Sequence, residues 1–296
     1  MELVKLLQTA IDYMEEHLLE DINYENVAKQ VYMSSYNFHR TFTLMAGMSA
    51  NEYIRNRRLS MAAQELLTTD HKVIDVAYTY GYDTPESFAK AFARFHGVTP
   101  RQAKEKGTQL HIFNRLVIKI TLEGGKIMDY RVEDVGTRRF IVLARQFSND
   151  TQIDEANHTI PEFWKECNNK KMVNAIRELR PDGKKDLYGL CGTTKENEDT
   201  FTYAIGVVDD EDTKKISEEE LTANGFQIWT ISTATYVVFN CYGDNGECIT
   251  NMWSYFFKEF LPQSKYEYTD EVDYEIYFEK GEPGLFCELW IPVKLK

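Results

Sequence analysis

One pattern of residues occurs twice, 50 positions apart, and it limits what the first third of the chain can become. Phe38, Phe42 and Gly47 recur as Phe88, Phe92 and Gly97, and Arg40 recurs as Lys90. A Val-Ala pair precedes each copy, Val27-Ala28 and Val76-Ala77, at an offset of 49, so the second copy holds one extra residue in its turn. In that copy nearly every residue has a physical task. Gly81 supplies a turn where positive φ is expected, Asp83 or Thr84 caps the next helix, and Pro85 takes a first-turn site whose N–H has no intrahelical partner. Glu86 complements the positive end of the helix dipole. Phe88, Phe92 and Phe95 fall at i, i+4, i+7 and make one apolar stripe, leaving Glu86, Ala89, Lys90 and Ala93 opposite. Each copy reads as a helix-turn-helix with one packing face and one free face.

The run from Gly81-Tyr82-Asp83-Thr84-Pro85-Glu86-Ser87-Phe88 to Ala91-Phe92-Ala93-Arg94-Phe95-His96-Gly97-Val98-Thr99-Pro100 resembles the DNA-binding domain of AraC/XylS-type transcription regulators. It departs from that family in Ala89 and Lys90, where a hydroxyl residue followed by Arg is often found. The resemblance implies double-stranded DNA as a partner, met by Ser35, Tyr36, His39 and Arg40 on the first recognition helix and by Pro85, Glu86, Ala89 and Lys90 on the second. A guanidinium fork such as that of Arg40 matches guanine O6 and N7 or a phosphate, while Glu86 and Lys90 suit backbone or water-mediated contacts. Leu3 to Leu18 carries Val4, Leu7, Ile11, Met14 and Leu18 at helical spacing and is expected to pack on the first copy. Ala50 to Thr69 reads as one helix, about 30 Å long at 1.5 Å per residue, close to the roughly 34 Å turn of B-DNA. It would hold the two recognition helices over successive major grooves. Its Arg55, Arg57 and Arg58 either touch phosphate or are solvated or paired with Glu65.

A net charge of −13 counts against nucleic acid until it is divided along the chain. Residues 22–107 hold 11 Lys and Arg against 8 Asp and Glu, a balance of +3, whereas residues 108–296 hold 22 against 33. The acid is kept away from the helices that would meet phosphate. No apolar run reaches membrane-spanning length and the opening residues do not read as a signal peptide, so a cytoplasmic location and no membrane partner are expected. Cys167, Cys191, Cys241, Cys248 and Cys287 are odd in number and form no Cys-x-x-Cys pair, and the six histidines show no ligand spacing. Free structural thiols, no metal and no cofactor are the expectation.

After Gly107 the period changes from helical to alternating. Leu116 to Leu122 reads as a strand closed by Gly124-Gly125, within a connector taken as 108–126. The remainder, 127–296, repeats a β-α-β-β order. The first block is strand Tyr130–Phe147, helix Ile160–Asn168 and strands Leu187–Cys191 and Thr200–Val208. The second is strand Gln227–Tyr242, helix Cys248–Phe260 and strands Asp273–Glu279 and Leu285–Lys294. Phe163-Trp164-Lys165-Glu166 is echoed by Phe256-Phe257-Lys258-Glu259. The fold class expected is two domains: an all-α double helix-turn-helix over 1–107 and an α+β domain of two such units facing one another across a groove.

Ile231-Ser232-Thr233-Ala234-Thr235-Tyr236-Val237-Val238-Phe239 with Gly243, and Cys287-Glu288-Leu289-Trp290-Ile291-Pro292-Val293, resemble the GyrI-like effector-binding domain, which follows AraC-type units in the Rob-like subgroup. That resemblance implies a pocket lined by glutamates at Glu275 and Glu288. Strand alternation puts Phe286, Glu288 and Trp290 on one face, and Glu275 shares a face with Tyr277. A carboxylate among aromatic rings suits an organic cation, with cation–π attraction of about 0.5–2 kcal/mol per contact. Trp164, Tyr203 and Trp253 are further wall candidates. The function expected is a regulator whose acidic half binds a small cationic or amphipathic effector and so biases DNA binding or recruitment of RNA polymerase. Two alternatives stand beside it: a hydrolase of strained electrophiles with Glu288 as general base, and a module that binds a protein.

Overall fold

The computed structural model describes residues 2–105, 107–119, 128–148, 159–193 and 200–296, and the chain divides into two units, Met1–Leu122 and Glu123–Lys296. The first unit contains α1 (Glu2–Glu16), α2 (Tyr24–Gln30), α3 (Ser35–Ala46), α4 (Ala50–Thr68), α5 (Val73–Thr79), α6 (Pro85–His96) and α7 (Pro100–Ala103). Side-chain oxygens set where these helices begin. Asn23 caps α2, and Ser34, Ser49, Thr84 and Thr99 each accept the amide three residues on, removing one orphan donor per helix. Thr84, not Asp83, is the cap of α6. Gly47 and Gly97 end the two recognition helices at φ 74°, a conformation that strains a residue with a Cβ.

Helix α4 is shared by two cores. Tyr53 and Ile54 near its start pack with α1, α2 and α3 around Phe38 and Phe42. Leu59, Ala62, Ala63 and Leu66 further along pack with α5, α6 and α7 around Phe88 and Phe92. Its 19 residues make a rod of roughly 29 Å. Each phenylalanine of the duplicated pair is buried, so truncating one to alanine costs about 3–5 kcal/mol.

The expected strand from Leu116 to Leu122 is not found: 116–119 form no strand, and 120–122 lie outside the described residues. The alternation was real but its partner is helical. Phe113, Leu116 and Ile118 pack on the first core. Side chains of α4 serve this segment's backbone in place of a ladder: Phe113 N donates to Ser60 Oγ (3.0 Å), Leu116 N donates to the Tyr53 hydroxyl (3.2 Å), and Arg57 Nη1 donates to the Phe113 carbonyl (2.7 Å).

His96 closes the second core as a neutral ring. Nε2 lies 3.1 Å from the Leu59 carbonyl and Nδ1 3.2 Å from the His111 amide, so the tautomer protonated on Nε2 satisfies both. Burial pushes its pKa below the ordinary 6.5, against the pull of the Leu59 carbonyl and with help from His111. The unfolded chain therefore binds the proton more readily, and this group's contribution is complete above about 6.5 and lost as pH falls below it. The melting temperature of the isolated first unit is expected to fall between pH 7 and 5, and His96→Gln should flatten that dependence.

The second unit runs β1 (Arg131–Val135), β2 (Arg138–Ser148), α8 (Ile160–Asn169), α9 (Met172–Arg177), β3 (Leu187–Thr193), β4 (Thr200–Val208), α10 (Glu218–Ala223), β5 (Gln227–Ile231), β6 (Ala234–Tyr242), α11 (Glu247–Tyr255), a π-helical turn Phe256–Phe260, α12 (Leu261–Gln263), β7 (Tyr266–Tyr268), β8 (Asp273–Tyr277) and β9 (Leu285–Leu295). The strands make one antiparallel sheet in the order β1-β6-β9-β8-β3-β4-β2-β5, with β7 on β9. Each long strand expected at 130–147 and 227–242 is in fact two, broken at Gly136-Thr137 and Ser232-Thr233. The short first pieces are exchanged: β1 pairs with β6 of the second repeat, and β5 with β2 of the first. The registers superpose under a two-fold rotation whose axis passes between β3 and β8, where Gly189 stands opposite Glu275. One face of the sheet is an aromatic core of Phe140, Tyr236, Tyr274 and Trp290. The other meets the helices, with Phe163 of α8 against Phe147.

Candidate functional site

On α3, Phe38 and Phe42 face inward and the polar edge is not uniform. Ser35 is 7 % exposed and packs inward, so it leaves the set of residues able to reach a ligand. Tyr36, His39 and Arg40 remain partly open. Arg40 Nη1 donates to the Tyr36 hydroxyl at 2.9 Å and its guanidinium lies 5.7 Å from that ring's centre, which holds the fork in place. On α6, Glu86 and Lys90 are exposed and Pro85 and Ala89 half-buried, with exposed Arg94 one turn beyond Lys90.

Two of the three linker arginines have structural employment. Arg57 donates to both oxygens of Glu15, each at 2.7 Å, and not to Glu65, which holds His71 and Tyr80. Arg58 donates to the carbonyls of Leu18 and Glu20, both at 2.6 Å, and its Nη1 would stand 2.9 Å from a Cβ added at Gly81. One guanidinium thus ties the loop before α2 to α4, and Gly81 leaves room for it beside the turn before α6. Arg55 lines a hollow of about 270 Å³ with Arg58 and Tyr82.

The two glutamates expected to share a pocket lie on opposite faces of the sheet. Their register separates them: Glu275 pairs with Leu289, and Glu288 with Ile276. Glu288 accepts a bidentate pair from Arg131 (2.7 and 2.7 Å) and the Trp290 indole N–H (3.1 Å), with the same guanidinium 5.2 Å over the Trp290 ring. Three of its roughly four lone-pair sites are taken, and its charge is already matched by Arg131. Glu275 faces the helices and is 8 % exposed. Tyr203 donates to its Oε2 at 3.1 Å and receives the Trp164 indole N–H at 3.0 Å; Trp164 meets the Tyr277 ring at 5.1 Å, and Tyr277 meets Phe286 at 5.7 Å. Trp253 packs in another cluster, with Phe256, Phe257 and Tyr268. The Tyr203 hydroxyl stays protonated far above neutral pH, because it is buried and the Glu275 charge opposes its ionisation.

Residues 135–293 match the family described as integron-associated effector binding protein, which is more than half of the chain. The chain belongs to that family. Residues 27–106 match the helix-turn-helix domain family, here of the AraC type. The regulatory protein SoxS of Salmonella typhimurium is 33% identical over 102 residues, 34% of this chain and 95% of SoxS. The uncharacterized HTH-type transcriptional regulator YbfP of Bacillus subtilis is 40% identical over 96 residues, 32% of each chain, so the match spans about a third of YbfP. Among solved structures, SAV2435 bound to tetraphenylphosphonium aligns with 56% of this chain and 94% of its own, at 16% identity and a TM-score of 0.45.

Within the effector-binding domain, the residue that sequence reasoning missed is Gly189. A Cβ built there would overlap the Tyr203 hydroxyl and Glu275 Oε2, so its missing side chain is the space into which those groups converge. In the helix-turn-helix unit the missed residue is Tyr32. It is 98 % exposed, adopts φ 57°, and precedes α3 in the turn. The offset of 49 aligns it with Gly81, and that comparison alone would have exposed a bulky residue at a position suited to glycine.

Proposed function

We propose that this protein regulates transcription by binding double-stranded DNA through α3 and α6 and an organic cation beside Glu275. The observation that carries the second half is a buried carboxylate at the pseudo-two-fold, bonded by Tyr203 and walled by Trp164 and Tyr277. A charge held there is matched best by a cation that brings its own apolar surface. Because Glu275 is nearly enclosed, binding requires the wall to open. Trp164 is the element positioned to do so, since it belongs to α8 and its indole is held by the bond to Tyr203. The ligand would thereby select an arrangement of the domain that differs from the unliganded one, which is what coupling to DNA affinity or polymerase recruitment requires. Titration with a lipophilic cation such as tetraphenylphosphonium, followed by tryptophan fluorescence, tests this. Glu275→Gln is expected to weaken binding by at least about tenfold, or 1.4 kcal/mol, while Glu288→Gln leaves it unchanged; equal affinity in wild type and Glu275→Gln would overturn the assignment.

For the nucleic-acid face the residues proposed are Tyr36, His39, Arg40, Pro85, Glu86, Ala89 and Lys90, joined by Arg94 and Tyr32. The left-handed backbone at Tyr32 costs about 1 kcal/mol for a residue with a Cβ, and the ring buries nothing within the unit. An exposed ring and hydroxyl just before α3 suit contact with a sugar-phosphate backbone. Tyr32→Gly is expected to raise stability by about 0.5–1 kcal/mol while weakening operator binding several-fold in fluorescence anisotropy. A variant more stable and equally tight would show that the ring meets no DNA.

A further inference from the structure

On the face of the sheet away from Glu275, the starts of β2 and β3 and the end of β4 line an open cavity of about 580 Å³. Its wall is crowded with charge, and most of that charge is spent within the wall. Arg139 pairs with Asp209 at 3.0 Å, the buried Arg180 pairs with Asp210 and donates to Thr213 Oγ1 at 2.7 Å, and Lys184 pairs with Asp212. Three lining groups are left over. Among the described residues the Arg138 side chain makes no hydrogen bond or ion pair, the Tyr188 hydroxyl has no partner, and Asp186 makes no ion pair, its Oδ1 accepting the Glu279 amide at 2.8 Å. The guanidinium and the carboxylate are not paired with each other either.

The duplication shows that the fold does not need these charges. Under the two-fold relation Tyr188 corresponds to Tyr274, Arg138 to Ala234 and Asp186 to Val272. In the second repeat that end is filled and apolar: Tyr274 is buried, Ala234 and Val272 pack against the aromatic core, and the Tyr236 hydroxyl donates to the Val272 carbonyl at 3.0 Å. The same framework therefore carries a plug in one repeat and an open, oppositely charged pair around a tyrosine in the other.

We propose that this cavity binds a small zwitterion of the amino-acid class, its carboxylate on Arg138, its ammonium on Asp186 and the Tyr188 hydroxyl between them. With Arg139, Arg180 and Lys184 already paired, the charges left to a ligand are the Arg138 guanidinium and the Asp186 carboxylate, so a ligand bearing both signs is favoured at both ends. The volume lies within the 300–1,000 Å³ typical of small-molecule sites. This second site does not depend on the reading of Glu275.

The test is a thermal-shift and calorimetric screen of the full chain against each proteinogenic amino acid at roughly 10 mM, above a millimolar Kd. At least one is expected to bind. Arg138→Ala and Asp186→Asn, the latter keeping the acceptor for the Glu279 amide, should each lower its affinity by at least about tenfold, as should its carboxamide and N-acetyl derivatives against wild type. Glu275→Gln should bind it as wild type does, which separates this site from the one proposed on the helix face. Binding by no amino acid, affinity unchanged in Arg138→Ala or Asp186→Asn, or an N-acetyl derivative that binds as tightly as its parent would each overturn the assignment.

Discussion

Gly189→Ala is expected to lower the stability of the effector-binding domain by about 2–3 kcal/mol and to abolish cation binding at Glu275. The added carbon would stand where the Tyr203 hydroxyl and the Glu275 carboxylate now approach each other, and 2.9 Å from Tyr203 Cζ. Backbone movement cannot absorb the overlap cheaply, because β3 is hydrogen-bonded on both sides, to β4 and to β8. The side chains must therefore separate. Tyr203 has little room, being buried with its oxygen fixed between Trp164 and Glu275. Breaking its bond leaves buried polar groups without partners, which adds to the packing penalty. Urea denaturation of wild type and variant gives the stability difference, and the cation titration gives the second readout. A variant within 0.5 kcal/mol of wild type, the size of an ordinary surface change, that still binds would mean the close approach at the pseudo-two-fold is incidental.

How much of this was readable beforehand follows from how local each feature is. The double helix-turn-helix was legible because caps, turn glycines and a 3.6-residue apolar period are all set by neighbours in sequence; Thr84, Pro85, Phe88, Phe92 and Gly97 stand where those rules place them. The β-α-β-β order of the two repeats was legible, but the division of each first strand into two pieces and the exchange of β1 and β5 were not. A strand's partner is chosen by long-range pairing, and the break at Gly136-Thr137 reads equally well as a continuation. The placing of Glu275 and Glu288 in one pocket failed for a related reason. Alternation within one strand gives a face only relative to that strand, and the registers across β8 and β9 decided that Glu275 and Glu288 point apart. Arg131, which claims Glu288, is remote in sequence and carried no local signal. Arg57 and Arg58 stayed open between phosphate, solvent and Glu65 for the same reason, because a positive charge on a helix does not reveal whether a carboxylate or a carbonyl waits opposite.

Arg57→Ala should prove one of the most damaging single changes in the helix-turn-helix unit, costing about 3 kcal/mol. Its guanidinium joins three segments: it grips both oxygens of Glu15 at the end of α1, donates to the Phe113 carbonyl, and stands beside Tyr53, whose hydroxyl donates to Glu15 at 2.6 Å. The pair is largely enclosed, the side chains 17% and 13% exposed. Burial alone would raise the Glu15 pKa, but the hydrogen bonds and charge of Arg57 and the bond from Tyr53 outweigh it and hold it below the ordinary 4.5. A carboxyl whose folded pKa is depressed stabilises the fold above its unfolded value, and that contribution fades as pH falls through the folded one. Removing the guanidinium leaves only the bond from Tyr53 and the charge of Arg115 against desolvation, so the stability that wild type gains as Glu15 ionises should shrink in the variant. The double replacement Glu15→Met with Arg57→Met tests whether the loss comes from the stranded charge or from the missing bonds. Apolar residues of similar volume should recover most of the stability if desolvation dominates. The Phe113 carbonyl would still lack its donor, and the segment carrying Phe113, Leu116 and Ile118 should then exchange its amide hydrogens faster than in wild type, although the core beneath it is restored.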